Sequence, residues 1–213
     1  MKIGILGTGS VGQHLAKALL RKGHEVIIGT RDPSREDLIE WKNQNAAEAQ
    51  IQTFKDCASN SEFLILAVNF ENLKSFFEHI QGADIKGKTL IDLSNPLDFS
   101  TGSPELAIGF NDSVGEIVQE NLPEANVVKT LNCITGSQMI DPKFEDGIAD
   151  MFMAGDSDEA KAEVKEFLES VGWRVIDIGG IKESRLLEPF AMIWIKYSIA
   201  HQTGAHGFSM LRK

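Results

Sequence analysis

The chain has 213 residues, 42% of them hydrophobic and 24% charged, which is enough to bury the core of one domain without disulfide or metal staples. Its formal net charge of −10 argues against nucleic acid or an anionic membrane as partner, because repulsion from phosphates would oppose binding. The two cysteines, Cys57 and Cys133, have no C-x-x-C neighbour, so a disulfide framework and a zinc site are both excluded in favour of a reducing, cytoplasmic setting.

The elements follow in chain order. Lys2–Leu6 reads as a strand, too short for a signal-peptide core and followed at once by glycines. Ser10–Lys22 reads as a helix, with Val11, Leu15, Ala18 and Leu19 at spacings of three and four and Gly23 as the stop. Glu25–Gly29 is a second strand. Ser34–Asn43 is helical, with Ser34 as N-cap. Gln50–Thr53 and Phe54–Asn60 make a weak strand and a short helix. Phe63–Val68 is a continuous apolar strand of the kind covered on both faces, and Glu71–Ile80 a helix. Lys88–Leu93 is a fifth strand, followed by a loop over Leu97–Phe110 punctuated by Gly102, Pro104 and Gly109. Then come a helix over Ser113–Asn121, a sixth strand over Asn126–Leu131 and a short helix over Gly136–Ile140. The strands Asp150–Gly155 and Trp173–Ile178 flank a helix over Ser157–Ser170. The last helix covers Glu183–Ala200, whose apolar run is interrupted by Glu188, Pro189 and Lys196 and falls short of the ~20 residues of a membrane span. Alternating strands and helices imply an α/β fold with a doubly wound, mostly parallel sheet, a single domain over 1–213 with a C-terminal helix and tail over 181–213.

The informative motif is Gly7-Thr8-Gly9-Ser10-Val11-Gly12. Gly7 permits the turn out of the strand, Gly9 lets backbone approach a pyrophosphate, and Gly12 lets the helix pack close to the strand. The helix opening at Ser10 turns free N–H groups and a positive dipole end toward the phosphates. Because the glycines follow a strand and open a helix within a βαβ unit, they predict a dinucleotide site. An NAD site carries an acid at the end of the second strand. Here the chain reads Gly29-Thr30-Arg31, with Arg35 a turn later. A guanidinium fork binds a 2′-phosphate where a carboxylate would repel it, so the expected cofactor is NADP(H). Asp32 is expected to turn away from the ribose.

At the carboxyl ends of the later strands stand Val68 and Asn69, Asn95 and Pro96, then Asn132, Cys133, Ile134 and Thr135. They place small or polar groups where a nicotinamide would lie. Acid–base machinery is missing. His14 and Lys17 fall on the first helix; His79, His201 and His206 read as solvated surface; Tyr197 has no Lys four residues on. Lys196 reads as a surface lysine, and Cys133 as a buried small hydrophobe. Only about 30 residues follow the last strand, too few for a substrate domain. A planar acceptor stacked on the nicotinamide suits such a chain, since hydride transfer between flat rings needs positioning more than proton traffic. Two alternatives stay open: reduction of a small carbonyl or imine at a dimer interface, and a non-catalytic NADPH-binding sensor.

The chain resembles, over nearly its whole length, the NADPH-dependent reductases related to coenzyme F-420:NADP oxidoreductase. It is also similar to the cytosolic oxidoreductase domain of six-transmembrane metalloreductases. The resemblance rests on the glycine motif together with Gly29-Thr30-Arg31-Asp32-Pro33, Asp92-Leu93-Ser94-Asn95-Pro96, Val127-Val128-Lys129-Thr130-Leu131-Asn132, Ala154-Gly155-Asp156 and Ser184-Arg185-Leu186-Leu187-Glu188. It implies that Thr8, Ser10, Val11, Thr30, Arg31 and Arg35 contact NADP, with Asn95 and Asn132 near the nicotinamide. It further implies a flavin (FMN or FAD) or deazaflavin (coenzyme F-420) acceptor by Asn132–Thr135, and a homodimer.

Overall fold

In the computed structural model, which describes residues 1–211, eight strands form one sheet in the order β10-β9-β8-β5-β4-β1-β2-β3. The strands at its centre are β1 (Lys2–Leu6), β2 (Glu25–Thr30), β4 (Phe63–Leu66), β5 (Thr89–Asp92) and β8 (Asn126–Lys129). They are parallel and in register through pairs such as Ile5↔Ile28 and Ile5↔Ile65, and β3 (Gln50–Thr53) closes one edge. Successive residues point to opposite faces, and both faces are apolar. Phe63 and Ile65 join one buried cluster, Leu64 and Leu66 the other. Helices must therefore cover both sides. The sheet is a doubly wound, Rossmann-type α/β fold. One pairing breaks the parallel rule: β9 (Asp150–Gly155) runs antiparallel to β8, and β10 (Arg174–Asp177) follows β9 in parallel.

Differences from the sequence expectations have local causes. The second helix, α2, begins at Glu36 rather than Ser34 and ends at Asn45. The Ser34 N–H and hydroxyl both donate to Asp32 Oδ1, at 2.9 and 2.6 Å, and this turn holds the backbone out of the helix. The helix expected from Glu71 starts as a 3-10 turn, Phe70–Asn72, before α4 (Leu73–Ile80). The loop over 97–110 contains a two-stranded hairpin, β6 (Leu97–Asp98) with β7 (Glu105–Leu106). Strands of two residues leave no alternation to read.

Three N-caps are in place. Thr53, Ser113 and Ser157 accept from the third residue on, opening α3 (Phe54–Ser59), α5 (Val114–Asn121) and α6 (Asp158–Ser170). The last helix, α7 (Ser184–His201), follows a 3-10 turn at Ile181–Glu183 and buries only Ser184, Leu187, Glu188 and Ala191. The tail after it folds back: Trp194 Nε1 donates to His206 O at 2.9 Å, and Asp150 N donates to Phe208 O at 2.7 Å. The last two residues of the expected tail, 212 and 213, lie outside the described residues. Among the described residues, no helix is long and apolar enough to cross a membrane.

Candidate functional site

At the carboxyl ends of β1, β4, β5 and β8 lie two adjoining hollows of about 440 and 200 Å³, which share Gly9, Ala67, Val68 and Asn69. Between β1 and the first helix, α1 (Ser10–Arg21), the glycines have unequal reasons to be there. Gly7 has φ +139°, and a Cβ on it would meet Ala67 O at 2.2 Å; one on Gly12 would meet Gly7 O at 2.3 Å. Those two are demanded by the protein's own packing. Gly9 is not: its φ is −69°, open to any residue, and a Cβ there would meet nothing within 4 Å. The space above Gly9 is open. The first turn of α1 opens onto that space with no side-chain cap and no acidic residue. Its unpaired N–H groups and positive dipole end offer a seat for an anion.

The smaller hollow is lined by Thr8, Thr30, Arg31 and Arg35. Arg35 reaches Thr8 Oγ1 at 3.4 Å with one nitrogen and grips Asp37 with the other end of its fork. Arg31 is exposed and carries no ion pair among the described residues. Asp32 is turned into its own loop, where the Ser34 hydroxyl and N–H hold its carboxyl below the ordinary range. The hollow thus presents two guanidinium groups to a ligand, while its nearest carboxylates are engaged within the chain.

The larger hollow brings Asn69, Asn95 and Asn132 together with Ser10 and Val11. Asn95 and Asn132 are reciprocal partners: Asn95 Nδ2 donates to Asn132 O at 2.7 Å, and Asn132 Nδ2 donates to Asn95 Oδ1 at 3.0 Å. Asn132 Nδ2 also donates to Leu187 O of α7 at 2.8 Å. Behind this pair lies a charge cluster in which Asp92, Lys129 and Glu188 are each 0% exposed. Lys129 Nζ meets Asp92 Oδ2 at 2.8 Å, Glu188 Oε1 at 2.9 Å and Ser94 O at 2.5 Å. The Glu188 carboxylate also accepts from Val114 N and Gly115 N, both at 3.0 Å, and so caps α5. Burial pushes the Glu188 carboxyl up, and the Lys129 ammonium opposes it. Desolvation pulls the Lys129 ammonium down, but its two carboxylates outweigh that and leave it raised.

Several expected residues stand elsewhere. Gly12 and Pro96 line neither hollow; the carbonyl of Pro96 accepts from Ala107 N at 2.8 Å and anchors the hairpin. Thr135 also lies off the cleft, its side chain 3.3 Å from where a Cβ on Gly204 of the tail would sit. His206 is not solvated surface: it is half-buried and stacks on Trp194 at 4.7 Å and 14°, because the tail folds back on α7. His201 leans on Tyr197 at 4.2 Å, and Lys196 donates to Ser103 Oγ at 2.9 Å. Cys133 is buried, its thiol pushed up to about 12 by desolvation, and is inert as a nucleophile.

Residue-by-residue reading of the chain missed two features of the site. Phe99 lines the larger hollow beside Phe70 of the fourth strand's end, and is 63% exposed, a large ring held at a cleft rim. The buried cluster had a signal that went unused: Asp92 follows the apolar pair Leu90-Ile91 and Lys129 the apolar pair Val127-Val128 at a strand end, where a charge needs a buried partner.

The comparisons with known proteins agree with this geometry. The family model described as NADP oxidoreductase, coenzyme F420-dependent, matches residues 2–96. The F420-dependent NADP reductase of Methanothermobacter marburgensis is 29% identical over 215 residues, covering 95% of this chain and 94% of that one. Rat (Rattus norvegicus) metalloreductase STEAP3 is 28% identical over 188 residues, 88% of this chain, and the chain spans only 36% of that relative's length. The crystal structure of a candidate F420-dependent NADP-reductase from Arthrobacter sp. FB24 superposes with a TM-score of 0.92. It is 38% identical, with both chains fully covered.

Proposed function

The chain belongs to the coenzyme F420-dependent NADP oxidoreductase family, and from that premise we propose that its cleft passes hydride between NADP(H) and a planar deazaflavin or flavin ring. As a member of that family it is an NADP-dependent oxidoreductase. The observation that carries the reading is Gly9: a glycine that neither backbone conformation nor packing requires, at the junction of the two hollows, above an uncapped helix start. That is the arrangement a pyrophosphate needs.

Within this reading, the first N–H groups of α1 bind the pyrophosphate. Arg31 and Arg35, with Thr8 and Thr30, hold the 2′-phosphate by charge-assisted hydrogen bonds. Asn95 and Asn132 hold the carboxamide end. After their mutual bonds, one N–H of Asn95 and Oδ1 of Asn132 carry no hydrogen bond among the described residues, a donor and an acceptor for an amide. The nicotinamide, when bound, supplies or takes the hydride. Phe70 and Phe99 line the same hollow, and a flat acceptor seated against them excludes water from the transfer. Among the described residues, no lysine, arginine or histidine lines the larger hollow and Glu71 is its one ionisable side chain, so in this reading the site acts chiefly by positioning the rings.

The test is NADPH oxidation by stopped flow with F420, FMN and FAD as acceptors. Oxidation that depends on one of the ring systems supports the reading. NADPH that binds with no stimulation by any of the three overturns it.

A further inference from the structure

We propose that Lys129 is a positioning residue for the nicotinamide: its buried ammonium fixes the Asn95–Asn132 pair on the cleft wall without touching the ligand. The inference rests on the larger hollow being the nicotinamide site.

The geometry carries it. An ammonium has three N–H groups, and Lys129 Nζ has three close acceptors: Asp92 Oδ2 at 2.8 Å, Glu188 Oε1 at 2.9 Å and Ser94 O at 2.5 Å. No proton remains for a substrate, and the group is fully buried, so it acts on the site only through what it holds. What it holds is the frame of the two asparagines. Ser94, whose carbonyl it binds, precedes Asn95. Glu188, whose carboxylate it binds, follows Leu187, whose carbonyl accepts a hydrogen bond from Asn132 Nδ2 at 2.8 Å. Lys129 itself ends β8, three residues before Asn132, and the chain between them passes through Leu131 at φ +56°. A left-handed leucine persists only where the surroundings dictate the backbone. One ammonium therefore ties β5, β8, α7 and, through Glu188, the start of α5 into one unit around the asparagine pair.

Stability alone does not explain the cluster. A buried ion network is replaceable by apolar side chains of similar volume at little or no loss, so a charged one argues for fixed geometry. Both carboxylates accept only from donors, Asp92 from Ser94 N, Ser94 Oγ and Lys129, and Glu188 from Val114 N, Gly115 N and Lys129. The network is thus fully satisfied, and a change at any member must move the backbone that carries the asparagines.

The experiment compares two ligands, NADP⁺ and 2′,5′-ADP, the second of which lacks the nicotinamide half. Two variants are titrated with both: the charge-free K129M/D92N/E188Q, and the milder K129Q. The expected result is affinity for 2′,5′-ADP within about twofold of wild type and affinity for NADP⁺ lower by about fivefold, the loss of one well-placed hydrogen bond. Single-turnover hydride transfer to the acceptor that serves wild type should slow by about tenfold or more. An equal fall for both ligands, no change for either, or failure of both variants to fold makes Lys129 a purely structural residue and overturns the proposal. The affinity ratio needs no acceptor. If wild type reduces no flat acceptor, the acceptor reading fails while the ratio still decides the role of Lys129.

Discussion

In the proposed reading, two side chains select the dinucleotide at the smaller hollow. Arg35 already shares its charge with Asp37, whereas Arg31 is exposed and unpaired among the described residues. Arg31 therefore has the most to gain from a phosphate. Arg31→Ala should weaken NADPH by ~1.5–3 kcal/mol, about ten- to a hundredfold, and leave NADH nearly unchanged. Isothermal titration with both coenzymes checks it, and an equal loss for both would refute the phosphate contact. The glycines give a second residue-scale expectation. Gly9→Ala places a methyl in open protein space, so stability should stay within ~1 kcal/mol while NADPH binding falls by about tenfold or more. Gly12→Ala drives a methyl to 2.3 Å from Gly7 O and should cost ~1–3 kcal/mol of stability, with loss of the cofactor following from the displaced helix. Thermal melts and NADPH titrations on the two variants separate a ligand-side glycine from a packing glycine.

Among the elements, α5 and α7 are joined by a second ion pair besides the buried cluster: Arg185 Nε and Nη2 each bond Glu116 at 2.7 Å. The Arg185 fork is the main reason the Glu116 carboxyl is held below its ordinary value. For an acid whose folded value is depressed, the stabilisation is fully present above the unfolded value and is lost as pH falls through the folded one. Urea midpoints measured from neutral pH into the acid range should therefore fall at and below the ordinary carboxylate range. Arg185→Ala should lower stability near neutrality and flatten that acid slope. A slope as steep as wild type's would refute the pairing. Legibility divides along the same elements. The β1–α1–β2 unit was readable because each requirement is local: a glycine turn, a helical period, a strand tip. Asn95 and Asn132 were readable as neighbours because parallel strand ends meet at one edge. The hairpin β6–β7 was not, since its pairing of Leu97 with Leu106 has no periodic trace. Nor was the stacking of His206 on Trp194, or the meeting of Asp92, Lys129 and Glu188, because those contacts join segments distant in sequence and depend on how α7 docks.

For the molecule as a whole, the cofactor is a stabiliser by mass action, since the seat formed by α1 and the strand ends exists only in the folded chain. At about a hundred times its dissociation constant, NADPH should add ~2.7 kcal/mol, raising the melting temperature by ~5–11 °C for a chain of this size. Calorimetry with NADPH and with NADH checks it, and equal shifts at equal concentrations would count against selection by the 2′-phosphate. Glu188 follows β5, α5 and β8 in chain order, which bears on biosynthesis. The ribosome delivers β5, β8 and the start of α5 well before residue 188, so the Lys129 ammonium and the Val114 and Gly115 amides must stay hydrated until α7 emerges. Nascent chains halted near residue 180 should be open at the cleft edge and readily proteolysed. The carboxyl end of the sheet is sealed only once α7 has been made.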